Sequence, residues 1–117
     1  MADKLVFSEN GHFRIMQIAD AQEICMTNPD TVNLIDRALE YAQPDLVVFT
    51  GDQVKGYGVS MVSGDVRAKT KMTIENVLEP LIKRNINFLF TFGNHDISKK
   101  SPADFQFRTY KDSGLCL

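Results

Sequence analysis

The sequence is poor in cysteine, has no strong excess of one charge and contains no long apolar run. Cys25 and Cys116 are the only cysteines in 117 residues, which excludes a disulfide framework and favours reduced thiols. The formal net charge of −2 gives no electrostatic basis for binding a nucleic-acid backbone. The longest uncharged apolar run, residues 46–50, is far too short to span a bilayer. We therefore expect neither a nucleic-acid partner nor a membrane partner.

The amino-terminal residues also lack the long apolar segment and small-residue cleavage site of a secretory signal. A cytoplasmic location is the resulting expectation. Hydrophobic residues make up 44% and charged residues 24% of the chain, close to ordinary globular usage, so a disordered or low-complexity chain is excluded. The length fits one domain, which we take as residues 1–117.

Short apolar runs alternate with amphipathic segments along the chain. Residues 4–8 are predicted to form a strand, Asn10-Gly11 suits a tight hairpin turn, and residues 13–19 form a buried returning strand. The next predicted elements are a helix that begins at Asn28 and is ended by Pro44, a strand over residues 45–50 and a flexible loop over residues 53–64. A second helix is predicted over residues 66–84, within which Pro80 should cause a kink or start a new turn. A strand over residues 86–92 and a helix capped by Ser101 and stopped by Gly114 complete the prediction. This alternation predicts a layered α/β fold of mostly parallel strands flanked by helices.

Polar clusters directly follow three of the apolar strands. They are Asp20-Ala21-Gln22, Gly51-Asp52 and Gly93-Asn94-His95-Asp96. Because parallel strands end at the same edge of a sheet, where ligands of open α/β sheets bind, the three clusters should converge on one crevice.

The residue types in these clusters point to a divalent cation. Carboxylates brought close together repel each other, and a bound cation is the simplest compensation. Asp20, Asp52 and the Asn94 carbonyl are oxygen ligands of the kind that Mn²⁺ or Mg²⁺ favours, and Gln22 adds another amide oxygen. His95 is suited either to binding metal or to donating a proton to a leaving oxygen.

The motifs D-x-Q, G-D and G-N-H-D, each after an apolar strand, resemble those of the calcineurin-like metallophosphoesterases. The resemblance extends from Phe13 over essentially the rest of the chain. It implies the N-terminal half of that family's αββα fold. It also implies a phosphate-ester substrate and two divalent metal ions, which are Mn, Fe, Mg or Zn.

The same resemblance implies a role for each site residue. Asp52 would bridge the two metals, Asp20 would bind the first metal, and Asn94 would bind the second. Gln22 occupies a ligand position of the first motif. His95 would protonate the leaving group or stabilise charge on the phosphoryl oxygens, and Asp96 would orient His95.

Two departures from the family pattern affect the expected activity. The first motif usually reads D-x-H, and Gln22 in place of that His shifts the preference toward harder ions. The family's later motifs, a lone His and then G-H-x-H, are absent, because His12 and His95 are the only histidines. His12 should lie at the opposite end of the sheet. We therefore expect an incomplete domain with weak or no activity alone, and self-association through an exposed sheet edge.

Two other functions compete with this interpretation. In the first alternative, the chain is a non-catalytic module that binds a metal or phosphate. The missing histidines favour this hypothesis. A phosphorelay receiver domain fits less well, since a receiver needs an acidic pair after its first strand and a Lys after its last. Lys55 and Tyr57 in the predicted loop are interpreted as solvated residues rather than as contacts to substrate. The substrate, the metal and the oligomeric state stay open at this level.

Overall fold

Three parallel strands form one sheet in the computed structural model, which describes residues 5–117. The strands are β1 (Ile15–Ile18), β2 (Leu46–Phe49) and β3 (Phe88–Phe90), in the order β1-β2-β3. Ile15 lies beside Leu46 in the register of the first pair, and Val47 lies beside Phe88 in the second. The central strand is the densest apolar run of the sequence, as expected for a strand with neighbours on both sides. The predicted α/β fold with a parallel sheet is confirmed.

Three helices follow the strands: α1 (Pro29–Ala42), α2 (Val66–Arg84) and α3 (Ala103–Lys111). The side chain of Asn28 accepts a hydrogen bond from the backbone N–H of Asp30 at 2.9 Å, so the predicted start of α1 is confirmed. The predicted bounds of α2 are also confirmed. This helix runs through Pro80 without interruption.

The helices pack on one face of the sheet. The side chains of Val47 and Phe49 point into a core that all three helices complete. Its other members include Ile35 and Leu39 of α1, Ile74, Leu78 and Leu81 of α2, Phe88 of β3 and Tyr110 of α3. The opposite face of the sheet stays open: Ile15 is 59% exposed and Leu89 is 39% exposed.

The predicted amino-terminal hairpin is wrong. Lys4 lies outside the described residues, and residues 5–8 are not a strand. The predicted turn at Asn10-Gly11 is nevertheless present: the N–H of Gly11 donates to the carbonyl of Ser8 at 2.8 Å, and the N–H of Ser8 donates to the carbonyl of His12 at 2.9 Å. The returning strand is shorter than predicted and largely exposed, because β1 lies at the edge of the sheet and the helices cover one face alone. A hairpin without further partners is only marginally stable.

The start of α3 also differs from the prediction. Pro102, not Ser101, occupies the cap position, and no side chain caps it. Ser101 is buried, and its N–H donates to the carbonyl of Ser98 at 3.2 Å. The helix ends at Lys111, before Gly114, whose φ of 80° belongs to the following turn. That turn leads to Cys116, which forms a parallel bridge with Phe88 of β3.

Within the described part of the chain, every helix is too short or too polar to cross a membrane.

Candidate active site

The three polar clusters meet at the carboxyl ends of the strands. The N–H of Asp20 donates to the carbonyl of Gly51 at 3.2 Å, and the N–H of Gln22 donates to the carbonyl of Asp52 at 2.9 Å. The carboxylate of Asp52 accepts the backbone N–H of His95 at 2.9 Å. The first and third clusters are therefore both joined to the second. The predicted convergence is present in the backbone.

Backbone strain is concentrated at these strand ends. Asp20, Gln22 and Asp52 have φ values of 53°, 43° and 55°, in the left-handed region. That region costs a non-glycine residue roughly 1–2 kcal/mol, and such strain is typical of functional sites. The chain thus turns sharply after β1 and after β2.

A close approach of two backbones explains the glycines of the second and third clusters. Gly51 has a φ of 114°, and a Cβ atom there would lie 2.9 Å from the backbone nitrogen of Gly93. A Cβ atom on Gly93 would overlap the carboxylate of Asp52. The absence of both side chains lets the loops after β2 and β3 pack directly against each other.

Asp96 joins these two loops. Its side chain is buried, and its carboxylate accepts three backbone N–H groups: those of Asp52 and Gly93 at 2.7 Å and that of Val54 at 2.9 Å. The imidazole of His95 instead forms a hydrogen bond with the side-chain amide of Asn94, at 3.3 Å. Asp96 therefore fixes the backbone on either side of the site, and any orientation of His95 by this residue acts through that backbone.

Two buried glutamines support the loops from behind. Gln106 of α3 donates to the carbonyls of Asp96 at 2.6 Å and Ser101 at 3.0 Å. Gln53 donates to the hydroxyl of Tyr110 at 3.2 Å. Burial raises the pKa of the Tyr110 hydroxyl well above its ordinary value, so this group stays protonated. These two glutamines were not predicted to belong to the site, since the sequence around an isolated glutamine does not distinguish a buried amide from a solvated one.

Tyr57 contacts two of the clusters from the loop over residues 53–64. Its hydroxyl donates to the side-chain oxygen of Gln22 at 2.9 Å. Its ring centroid lies 4.5 Å from that of His95. The backbone N–H of Gly56 also donates to the carbonyl of His95, at 3.1 Å. Although the Tyr57 side chain is half exposed, its interpretation as a solvated loop residue missed both contacts.

The side chains of the clusters are partly suited to a metal. Asp20, Gln22, Asp52 and Asn94 offer carboxylate and amide oxygens, the donors that hard divalent ions prefer, and no sulfur. In residues 5–117, no three or more His, Cys, Asp and Glu side chains are grouped so as to hold a metal ion. The candidate ligands are therefore of the type that a hard ion prefers, but the described side chains do not by themselves form a metal site.

His12 does not join the site. It lies in the exposed turn before β1, at the amino-terminal end of the sheet. A groove at that end, beside Asn10 and Asp45, contains none of the predicted site residues. His12 therefore lies at the end of the sheet opposite the site, as the strand order predicts.

The fold and the polar strand ends define an α/β protein with its site at the carboxyl edge of a parallel sheet. Residues 13–115 match the family model described as calcineurin-like phosphoesterase, and the chain belongs to this family. Such phosphoesterases generally use divalent metals. The resemblance inferred from the three motifs is thereby confirmed.

Several curated proteins are similar to this chain. Phosphatase DCR2 of Saccharomyces cerevisiae is 31% identical over 110 residues, which cover 81% of this chain and 18% of that protein. Probable inactive purple acid phosphatase 29 of Arabidopsis thaliana is 31% identical over 109 residues, which cover 80% of this chain and 26% of that protein. The chain thus spans about a quarter or less of the length of these relatives. No solved structure matches it significantly.

Proposed function

We propose that this chain supplies the first half of a two-metal site that hydrolyses phosphate esters. The observation that carries the proposal is the meeting of Asp20, Asp52 and the Asn94-His95 pair at one edge of the sheet, in a member of a phosphoesterase family. The position of each cluster after a parallel strand supports a shared crevice, where such folds bind ligands.

Each residue has a distinct task in this proposal. Asp52 would bridge the two ions, with Asp20 on the first ion and Asn94 on the second. Gln22 is available to the first ion through its amide. When bound, two divalent ions provide an activated water and neutralise the charge of the phosphoryl group. The all-oxygen donor set favours Mn²⁺ or Mg²⁺ over Zn²⁺.

His95 is the proposed acid. Its imidazole would donate a proton to the leaving oxygen of the ester or a hydrogen bond to a phosphoryl oxygen. Two contacts set the backbone position of this residue: its N–H donates to Asp52, and its carbonyl accepts from Gly56. Because Asp96 holds Asp52 and Gly93 together, the acid and the bridging carboxylate are fixed relative to each other.

We also propose a cytoplasmic location. The thiols of Cys25 and Cys116 are not joined in a disulfide, a state that a reducing compartment maintains.

A non-catalytic module is the second candidate. It is favoured by the absence, in the described chain, of a grouped set of three His, Cys, Asp or Glu side chains. Three relatives carry "probable inactive" in their names. In this alternative, the chain would keep the fold and bind one ion or a phosphate without turnover.

Metal content measured after exposure to Mn²⁺ and gel filtration tests the proposal. We expect the wild-type chain to retain Mn²⁺ and Asp52→Asn to lose it, because the Asn side chain keeps an oxygen for the N–H of His95 but lacks the charge. Asp112→Asn, at an exposed residue after α3, is the matched control and should retain the metal. Manganese retained in Asp52→Asn would contradict the bridging role, and a wild-type chain without manganese would contradict the two-metal site.

Hydrolysis of bis-(p-nitrophenyl) phosphate distinguishes the two candidates. Turnover that needs Mn²⁺ and falls about 100-fold or more in His95→Ala, with metal content unchanged, supports a phosphoesterase. Bound metal without turnover supports the non-catalytic module.

A further inference from the structure

The loop over residues 53–64 is attached to the site at two separate points. One is the hydrogen bond from the Tyr57 hydroxyl to the Gln22 amide oxygen, at 2.9 Å. The other is the hydrogen bond from the N–H of Gly56 to the carbonyl of His95, at 3.1 Å. A side chain at position 56 would overlap that carbonyl. The loop therefore passes close enough to His95 for the next residue, Tyr57, to reach its ring.

The ring of Tyr57 is half exposed and has two close neighbours. The imidazole of His95 lies 4.5 Å away between centroids, with the two planes inclined by 55°. The ammonium of Lys55 lies 5.2 Å from the Tyr57 centroid, in cation–π range. The hydroxyl is fixed by Gln22. An aromatic ring held in this way limits the rotamers that a neighbouring imidazole can adopt.

We propose that Tyr57 is a positioning residue for His95 and that Gln22 acts through Tyr57. In this arrangement, the Gln22 amide oxygen uses one of its two lone pairs to hold the loop. Gln22, which stands where the family's first motif usually has His, thus helps to hold His95 of the third motif. The inference rests on the proposed function only in taking His95 as the acid.

The ring current of Tyr57 provides a direct test, read by NMR from the imidazole C–H signals of the 117-residue chain. The sequence has two histidines, so His12 serves as an internal reference. Spectra are recorded without metal at about pH 8.5, above the range in which imidazole ordinarily titrates. We expect the His95 signals to be displaced from those of His12, and Tyr57→Leu to remove most of this displacement. His95→Asn assigns the signals.

A double-mutant comparison tests the part played by Gln22. Tyr57→Phe keeps the ring and loses the hydroxyl, whereas Gln22→Met loses the acceptor. If a single hydrogen bond links the two residues, each change causes the same partial loss of the displacement, and the double variant loses no more than either one. Additive losses would overturn the link between Gln22 and Tyr57.

Tyr41→Leu is the matched control, since Tyr41 is 93% exposed on α1. It should leave the His95 signals unchanged. His95 signals that stay in place in Tyr57→Leu would overturn the positioning role. Because these spectra need neither metal nor substrate, a failure of the two-metal proposal leaves their result unaffected. Backbone amide signals outside residues 53–64 report whether each variant keeps the fold.

Discussion

Asp96 is a buried carboxylate whose hydrogen bonds go to backbone N–H groups. One oxygen accepts from Asp52 and Gly93, and the other accepts from Val54. Hydrogen bonds to an ionised acceptor are roughly twice as strong as neutral ones. This single side chain therefore contributes both to stability and to the spacing of the two loops that carry the site.

Asp96→Asn should lower the free energy of unfolding by about 2 kcal/mol or more. An amide group has one acceptor oxygen, so its NH₂ must face at least one backbone N–H. Urea unfolding at neutral pH measures the change. Asp112→Asn removes an acidic group near the carboxyl end of α3, where the helix dipole disfavours negative charge, and should cost nothing. Equal stability of the two variants would contradict the role given to Asp96.

The residues of the site differ in how far the sequence could predict them. Asp20, Asp52 and the Asn94-His95 pair follow buried strands, and the parallel topology is sufficient to bring their backbones together. Their metal ligation stays a prediction. The contact of Tyr57 with Gln22 depends on the path of a loop with no periodic pattern, and the same local sequence would suit a solvated loop.

At the level of elements, α1 and α2 are joined by an ionic contact. The carboxylate of Asp36 lies 3.1 Å from Arg84 and 3.2 Å from Lys83. Hydrogen bonds from these two side chains hold the pKa of Asp36 below its ordinary value. Because the pKa of Asp36 is lowered in the folded state, the contact stabilises the fold at pH values above the pKa of Asp36 in the unfolded chain. The contribution is lost as the pH falls through the pKa of the folded state.

Asp36→Asn should therefore lower the melting temperature at neutral pH, and the effect should shrink at acid pH as the carboxyl becomes protonated in the folded state. The change should be small, because the contact is exposed to solvent. Thermal unfolding followed by circular dichroism at the two pH values measures it. Glu75→Gln, which removes an exposed pair with Lys71 inside α2, is the control and should have no measurable effect. A difference that persists at low pH would mean that Asp36 acts through packing.

Elements with strong local signals were predicted well. Asn28 with Pro29 set the start of α1, and the apolar spacing of residues 66–84 gave both ends of α2. The errors lie where tertiary contacts decide. Residues 5–8 have the composition of a strand but no neighbouring strand, and Ser101 is buried by Gln106 instead of capping α3.

On the scale of the whole molecule, one face of the sheet has helices and the other has none among the described residues. Ile15 and Leu89 expose apolar surface there. Beyond β1, the sheet has no further strand within residues 5–117. Open edges and apolar faces of this kind promote association between chains.

We expect reversible self-association that increases with protein concentration, measured by sedimentation velocity. The double substitution Ile15→Lys and Leu89→Lys should shift the chain toward the monomer, because charge on this face opposes contact between copies. Val59→Lys, at an 89% exposed loop residue, is the control and should leave the distribution unchanged. A wild-type chain that is monomeric at all concentrations would contradict the prediction.

The carboxylate of Asp96 also has a consequence for the exchange of amide hydrogens with solvent. The N–H groups of Asp52, Val54 and Gly93 share this one acceptor, although they belong to loops that follow different strands. Any displacement of this carboxylate weakens all three hydrogen bonds together. Their deuterium uptake should therefore follow one common opening event, which makes the two loops a single cooperative unit of local unfolding.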